Sequence, residues 1–319
     1  MAVSNVSFSK TPQAVDDSFS VTSSGPVLLD VMANDRGGKA KKLYSIDDAG
    51  GGDQDTNSTN DLLDKDAPGV VEQTALGGSI AITDGKVQYT APSFAQYLDD
   101  GQNFVDSFGY AIQMGNGTIS TATVKVNLSG SRDLGFEDGG FISGGWEITG
   151  QVGVVTSDIT GGNPSPNPDA GGATVNPTEG GYFAKLLAGT TPNNAVEDFL
   201  GVGNTAIDSL TGSPTDASAI KTKLYLKTGD TVSFDWFFDE RDGQIGIFND
   251  TAFFTTLDGT LTELADSTTV NTDGTGWQTF SFVVGSDIGL VDFGIGIANG
   301  LDTALDSALY IDNLRVVSI

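Results

Sequence analysis

Short acid-rich phrases punctuate this chain: Asp16-Asp17, Asn34-Asp35, Glu137-Asp138, Asn249-Asp250 and Asp312-Asn313. Of the 42 acidic residues, 35 are Asp and seven are Glu. A short carboxylate or amide beside Gly or Ser turns the backbone and presents several oxygens at one point, which suits Ca2+ with its roughly 6–8 oxygen ligands. Hard-cation binding is therefore the chemistry these residues could do. With no Cys, disulfides and thiol chemistry are excluded. With no His, the usual general base, the usual zinc ligand and every Ser-His or Cys-His nucleophile are missing.

Fifteen Lys and Arg leave a formal charge of −27, a self-repulsion that opposes compaction unless bound cations neutralise part of it. Nucleic acid is not an expected partner. No stretch approaches the roughly 20 apolar residues of a membrane helix, and no charged segment leads into an apolar core at the start, so membrane insertion is not expected. Either export reads another part of the protein, or this chain is an excised fragment of a longer one. Metal ions would then supply the stapling that disulfides often give secreted proteins.

The elements that must position these acids follow a period of two. Val15, Asp17, Phe19 and Val21 share one face, as do Ala122, Val124, Val126 and Leu128, and Val232, Phe234, Trp236 and Phe238. Turn signals separate the strands at Thr83-Asp84-Gly85, Gly115-Asn116-Gly117, Thr228-Gly229-Asp230 and Asp273-Gly274. Only Ala95–Leu98 and Ala195–Leu200 suit a helical turn, while residues 48–61 and 157–179 read as long surface loops. The pattern predicts an all-β chain of sandwiches. A small-residue break at Ser129-Gly130-Ser131 suggests domains 1–130 and 131–319, with net charges of −8 and −19.

The first part contains Val15-Asp16-Asp17-Ser18-Phe19, then Leu28-Leu29-Asp30-Val31-Met32-Ala33-Asn34-Asp35, Gly78-Ser79-Ile80-Ala81-Ile82 and Asp106-Ser107-Phe108-Gly109-Tyr110. In that order these phrases resemble the cadherin-like modules of the VCBS type, found in tandem in giant bacterial surface adhesins. The resemblance covers about residues 14–129. It implies an Ig/cadherin-like β-sandwich with Asp16, Asp17, Asn34 and Asp35 as calcium ligands and Asp106 as a further candidate. Taken alone, Asn34-Asp35 reads equally well as a turn and Asp16-Asp17 as a polar edge.

In the second part, Phe136-Glu137-Asp138-Gly139 with Gly145-Trp146, Gly276-Trp277, and Tyr310-Ile311-Asp312-Asn313-Leu314 resemble the outline of jelly-roll carbohydrate-binding modules. There the opening and closing segments hold a structural calcium, which implies Glu137 and Asp312 as its ligands here. Strand alternation puts Tyr310, Asp312, Leu314 and Val316 on one face, so Asp312 interrupts an apolar row. That is costly unless the carboxylate meets a cation or is fully hydrogen-bonded. Aromatic rings for sugar stacking are present in Tyr182, Trp236, Phe238, Phe253 and Phe254, but the alternation around Trp236 points it inward, and Trp146 and Trp277 read as structural. The acid-rich stretch Asp235 to Asp250, with Asp239, Glu240, Asp242 and Asn249, is where Ca2+ could bridge to sugar hydroxyls.

Together these readings give an expectation: a non-catalytic, calcium-stabilised, extracellular segment of a bacterial surface adhesin. It would be a monomer within a longer multidomain chain, its second domain binding a cell-surface or extracellular polysaccharide weakly. The alternatives are a structural stalk that binds nothing, and a glycoside-active enzyme using a carboxylate pair such as Asp239 and Asp242. No Gly-Gly-x-Gly-x-Asp repeat array of the RTX type is visible.

Overall fold

The computed structural model describes residues 13–22, 25–48, 61–67, 69–161, 172–241, 249–270, 274–301, 303 and 306–318. The chain forms two compact units, one of residues 1–98 with 103–130 and one of residues 131–319 with 99–102. Both are all-β sandwiches.

In the first unit, β1 (Asp17–Val21), β3 (Lys42–Asp48), β7 (Asn103–Gln113) and β8 (Ile119–Ser129) form one sheet in the order β1-β8-β7-β3. β2 (Val27–Leu29), β4 (Val71–Gln73), β5 (Ser79–Thr83) and β6 (Lys86–Thr90) form the other, in the order β2-β6-β5-β4. The turn signal at Asp84-Gly85 joins β5 to β6 with both residues at positive φ (51° and 74°), the conformation that lets a two-residue hairpin follow the twist of its strands. Alternation buries Ile80, Val87, Tyr89, Phe108, Tyr110, Val124 and Val126. β1 runs parallel to β8, with Asp17 opposite Val124. This pairing sets Asp17 at the start of an edge strand, next to the turn carrying Asn34 and Asp35.

The second unit opens with β9 (Glu147–Thr149), β10 (Gln151–Val155), the ribbon β11 (Asp158–Ile159) with β12 (Thr174–Val175), β13 (Phe183–Leu187) and β14 (Thr191–Pro192). Helices α1 (Asn193–Leu200) and α2 (Asp208–Thr211) follow, then β15 (Pro214–Leu226), β16 (Thr231–Asp239), β17 (Thr251–Thr255), β18 (Leu261–Asp266), β19 (Gln278–Val283), β20 (Gly289–Gly300) and β21 (Ala308–Val317). One sheet runs β10-β13-β21-β16-β19; the other runs β14-β15-β20-β17-β18, with β9 also on β15. Between them lies the main core, built from Leu186, Val232, Phe234, Phe238, Leu309 and Ile311 on one side and Ile220, Leu224, Phe254, Phe293 and Ile295 on the other. α1 lays Val196 and Leu200 over Ala217, Ala219, Phe253 and Ala298 on the outer face of the second sheet.

Three expectations are corrected. The stretch 157–179 is not wholly irregular, because its two ends pair as the β11–β12 ribbon. α2 carried no recognisable periodicity at four residues long. The third correction concerns β21, which changes phase partway. Leu309 and Ile311 face the main core, but so do Leu314 and Val316. Asn313 adopts φ 55°, and between the pairs Asp235↔Asp312 and Ser233↔Arg315 two residues of β21 oppose one of β16. This bulge lets both apolar pairs point inward. Asp312 therefore does not interrupt the core row. It lies with Tyr310 on the sheet's other face, where Val175, Phe183, Phe237, Ala308 and Tyr310 form a smaller cluster.

Asn tolerates the left-handed region, whereas a β-branched residue there is strained. Asn313→Val is expected to destabilise the second unit by about 1–3 kcal/mol, read by chemical denaturation. Asn313→Gly should cost less. Equal stability of wild type and Asn313→Val would contradict the bulge.

Candidate metal sites

In the first unit, Asp17 and Asp35 come together around Tyr110. The Tyr110 hydroxyl lies 2.8 Å from Asp35 Oδ1 and within reach of the carbonyls of Val15 and Val31, with the Asp17 carboxyl close by. Val15 N–H donates to Asp35 Oδ1 at 2.8 Å. The amide of Asn34 donates to the carbonyls of Val15 and Asp16, tying the turn to β1. Asp16 accepts Thr123 N–H at 2.9 Å. Lys41 Nζ caps the carbonyls of Met32 and Asp35.

Oδ2 of Asp17 and Oδ2 of Asp35 are each buried without a hydrogen-bond partner. Burial pushes the Asp17 carboxyl from its ordinary 3.8 up to about 6, with the charges of Asp35, Asp16 and Asp30 adding to the rise and the Tyr110 hydrogen bond opposing it. Two carboxylates with unmatched oxygens, one reluctant to ionise, are what a cation would relieve. Asp106 is elsewhere in this unit, held by Thr74 Oγ1 (2.6 Å), Tyr89 hydroxyl (2.8 Å) and the N–H groups of Leu76 and Ser107. Those four donors match the roughly four lone-pair positions of a carboxylate.

In the second unit, Glu137 and Asp312 reach the same turn. Glu137 Oε2 accepts Gly181 N–H at 2.8 Å, and Asp312 Oδ2 accepts Thr178 N–H at 2.6 Å and Glu179 N–H at 3.2 Å. Asp312 Oδ1 accepts Asn313 N–H at 2.7 Å. Asp312 is fully buried, and hydrogen bonds compensate that burial. Burial nevertheless raises its pKa, and burial followed by the charge of Asp312 raises that of Glu137.

Thr178 Oγ1 stands 2.9 Å from Asp312 Oδ2 and 2.7 Å from Asp235 Oδ2, yet a hydroxyl has one hydrogen to give. The second contact is favourable only with a proton on one carboxylate or a cation nearby. Gly180 seats the turn closely: at φ 57°, a Cβ there would fall 1.7 Å from Glu137 Oε2.

Among the described residues, Asp235, Asp239, Glu240 and Asp250 are buried rather than set on an exposed loop. Asp235 and Asp239 stand on β16, because the strand period carries them to the face shared with Tyr310. Asp235 accepts the hydroxyls of Thr178 and Thr279. Asp239 is fully buried against Arg241 Nε (2.7 Å) and Gly161 N–H, and Arg241 also bonds Tyr310, whose hydroxyl donates to Asp158. Its pairing with Arg241 removes it from surface acid–base work. Glu240 and Asp250 are each 1% exposed, with Asp250 accepting Gly300 and Ser307 N–H. Asn249 donates to the carbonyls of Leu210 and Thr211, and Asp242 lies outside the described residues. Among the described residues, no three His, Cys, Asp or Glu side chains gather as a metal group, so main-chain carbonyls and water would have to complete any calcium shell.

No protein-family model matches the sequence. Comparison with curated proteins also gives no match. Among solved structures, the chain is similar to a carbohydrate-binding module in complex with β-1,4-galactotriose, at 14% identity and TM-score 0.33, over 59% of this chain and 97% of that one. It is also similar to a carbohydrate-binding module specific for non-crystalline cellulose, at 16% identity and TM-score 0.29, over 60% and 97%. A third is an arabinose-bound α-L-arabinofuranosidase, at 10% identity and TM-score 0.29, over 57% and 25%.

Because the folded-state pKa of Asp17 is raised, the metal-free native state holds its proton more tightly than the unfolded chain does. That contribution to stability is present below pH 3.8 and is lost as pH rises through about 6. In EGTA, the melting temperature of wild type is expected to fall across this window more steeply than that of Asp17→Asn; parallel profiles would contradict the assignment. Asp99, which accepts Val316 N–H and is pushed up to about 7 by burial, contributes a similar fall to both proteins and cancels in the comparison.

Proposed function

We propose that this chain is a non-catalytic, calcium-stabilised segment of a secreted bacterial adhesin, whose second unit binds glycan weakly. The observation that carries the calcium reading is the pair of buried, unmatched Oδ2 atoms of Asp17 and Asp35, two carboxylates that both lie near Tyr110. Ca2+ joining them would compensate both oxygens and offset part of the −27. Glu137 and Asp312, with Asp235 close by, form the second candidate pair. The adhesin setting and extracellular location rest on the resemblance of the acid phrases to VCBS-type modules. No helix among the described residues is long and apolar enough to cross a membrane.

For glycan, the support is an aromatic ring beside acids. Tyr182 is 37% exposed and packs on Gly139, where an added Cβ would lie 3.2 Å from its ring, so it stands next to Glu137 and the turn of Gly180. An exposed ring with carboxylates around it suits the apolar face and hydroxyls of a sugar. The stalk reading draws on the other rings: Trp146 is 7% exposed and stacked on Phe136, and Trp236 packs against the core. Trp277 is half-buried, its edge against Phe183 and Phe237. A single exposed tyrosine makes a weak platform.

One site filled at 100 times its Kd stabilises the fold by about 2.7 kcal/mol, or roughly 5–15 °C in melting temperature. Melts in millimolar Ca2+ and in EGTA are expected to differ by at least that much, and superimposable curves would contradict the calcium reading. Screening against a glycan array with and without Ca2+ is expected to give weak hits that Tyr182→Ala removes without changing the melt. An empty array would leave the stalk as the better account, and release of reducing sugar would favour an enzyme.

A further inference from the structure

Asn-x-Ser/Thr triplets without proline in the middle begin at Asn5, Asn57, Asn116, Asn127 and Asn249, and the last three lie among the described residues. Such a triplet can carry sugar on its amide nitrogen only where the fold leaves the amide and the third residue's hydroxyl within reach of a transferase. The structure separates the three. Asn127 lies within β8, paired on one side with Ser20 of β1 and on the other with Val105 of β7. Its Nδ2 is spent on Ser18 Oγ and the Phe19 carbonyl, both at 3.1 Å. Asn249 gives its Nδ2 to the carbonyls of Leu210 and Thr211, and the two residues after it, Asp250 and Thr251, are buried. The Thr251 hydroxyl is itself bonded to the Asn249 carbonyl.

Asn116-Gly117-Thr118 is different. It forms the tip of the β7–β8 hairpin, beyond the last strand pair Gln113↔Ile119. Residues Gly115 to Thr118 are all exposed, and a Cβ added to Gly115 or Gly117 would meet no atom within 4 Å. Asn116 Oδ1 accepts Thr118 N–H at 3.1 Å, which fixes the amide oxygen and leaves Nδ2 with no partner among the described residues. Gly117 N–H donates to the Met114 carbonyl at 2.8 Å, with Gly117 at φ 86°. That bond occupies the nitrogen that would attack the side-chain carbonyl of Asn116 in the cyclisation that deamidates Asn-Gly sequences, so the turn holds the amide intact.

We propose that Asn116 is an N-glycosylation acceptor, taking its sugar from a glycosyl diphosphate carried on a nucleoside or on a lipid. In the transfer, Nδ2 forms a bond to the anomeric carbon, and the bond from that carbon to the diphosphate oxygen breaks. The diphosphate leaves with the electron pair, and one Nδ2 proton passes to a base of the transferase. A free amide at a protruding tip lets an enzyme surround the acceptor without opening a sheet; Asn127 and Asn249 would each have to break two hydrogen bonds first, a handicap of about tenfold or more.

The test offers the folded full chain to two transferases in separate arms, one using a nucleotide-activated hexose and one a lipid-linked oligosaccharide, with each site read by peptide mass mapping. Glycan is expected on Asn116 in at least one arm, at least about tenfold above Asn127 and Asn249. The urea-unfolded chain, diluted into the same reaction, is expected to lose that preference. Thr118→Val and Asn116→Gln are each expected to abolish the addition at this site while melting with wild type. No glycan on Asn116 in either arm, equal occupancy of Asn127 or Asn249 in the folded chain, or undiminished addition to Thr118→Val would overturn the proposal.

Discussion

The structure depends on making buried carboxylates tolerable. Ten acidic side chains are buried among the described residues, against Arg132 as the one basic residue in the same class, so ion pairs cannot be the general answer. Hydrogen-bond donors from the backbone and from hydroxyls do most of the work. Asp106 takes four donors, Asp312 takes the N–H groups of a turn, and Asp250 takes two N–H groups across a loop neck. Charge-assisted bonds of this kind are stronger than neutral ones, and losing one strands a charge in a poor dielectric. The acids thus act as staples in a protein that has no disulfide.

A few positions depart from that pattern. Asp17 and Asp35 carry an unmatched oxygen apiece, and Thr178 has one hydrogen for two carboxylates. In each place a cation or a proton would complete the balance. The raised pKa of Asp17 points the same way, because burial and like charges favour whichever state reduces the negative charge. In both units, hydrogen-bond donors satisfy most of the buried acids.

Strand existence was legible because the alternation of Val232, Phe234, Trp236 and Phe238 is clean, and the Asp84-Gly85 turn has a conformational cause that residue type reveals. The helical turn at Ala195–Leu200 was legible too, within α1 as Asn193–Leu200. The bulge at Asn313 was not, since a strict period of two assigns Leu314 to the wrong face and only the contact with β16 shows the shift. The acids between Asp235 and Asp250 looked like one loop because composition gives no depth; Asp239 needed its partners Arg241 and Tyr310, distant in sequence or in contact only through folding, to appear as a buried ion pair.

In the proposed reading of the first unit, Asp17 and Asp35 share one bound Ca2+. The direct measurement is a crystal structure grown in Ca2+, with anomalous diffraction used to locate the ion. An anomalous peak is expected about 2.3–2.6 Å from Oδ2 of both Asp17 and Asp35, with main-chain or water oxygens filling the rest of the shell. A water, or no density, between two carboxylates in fully occupied and well-ordered crystals would contradict it.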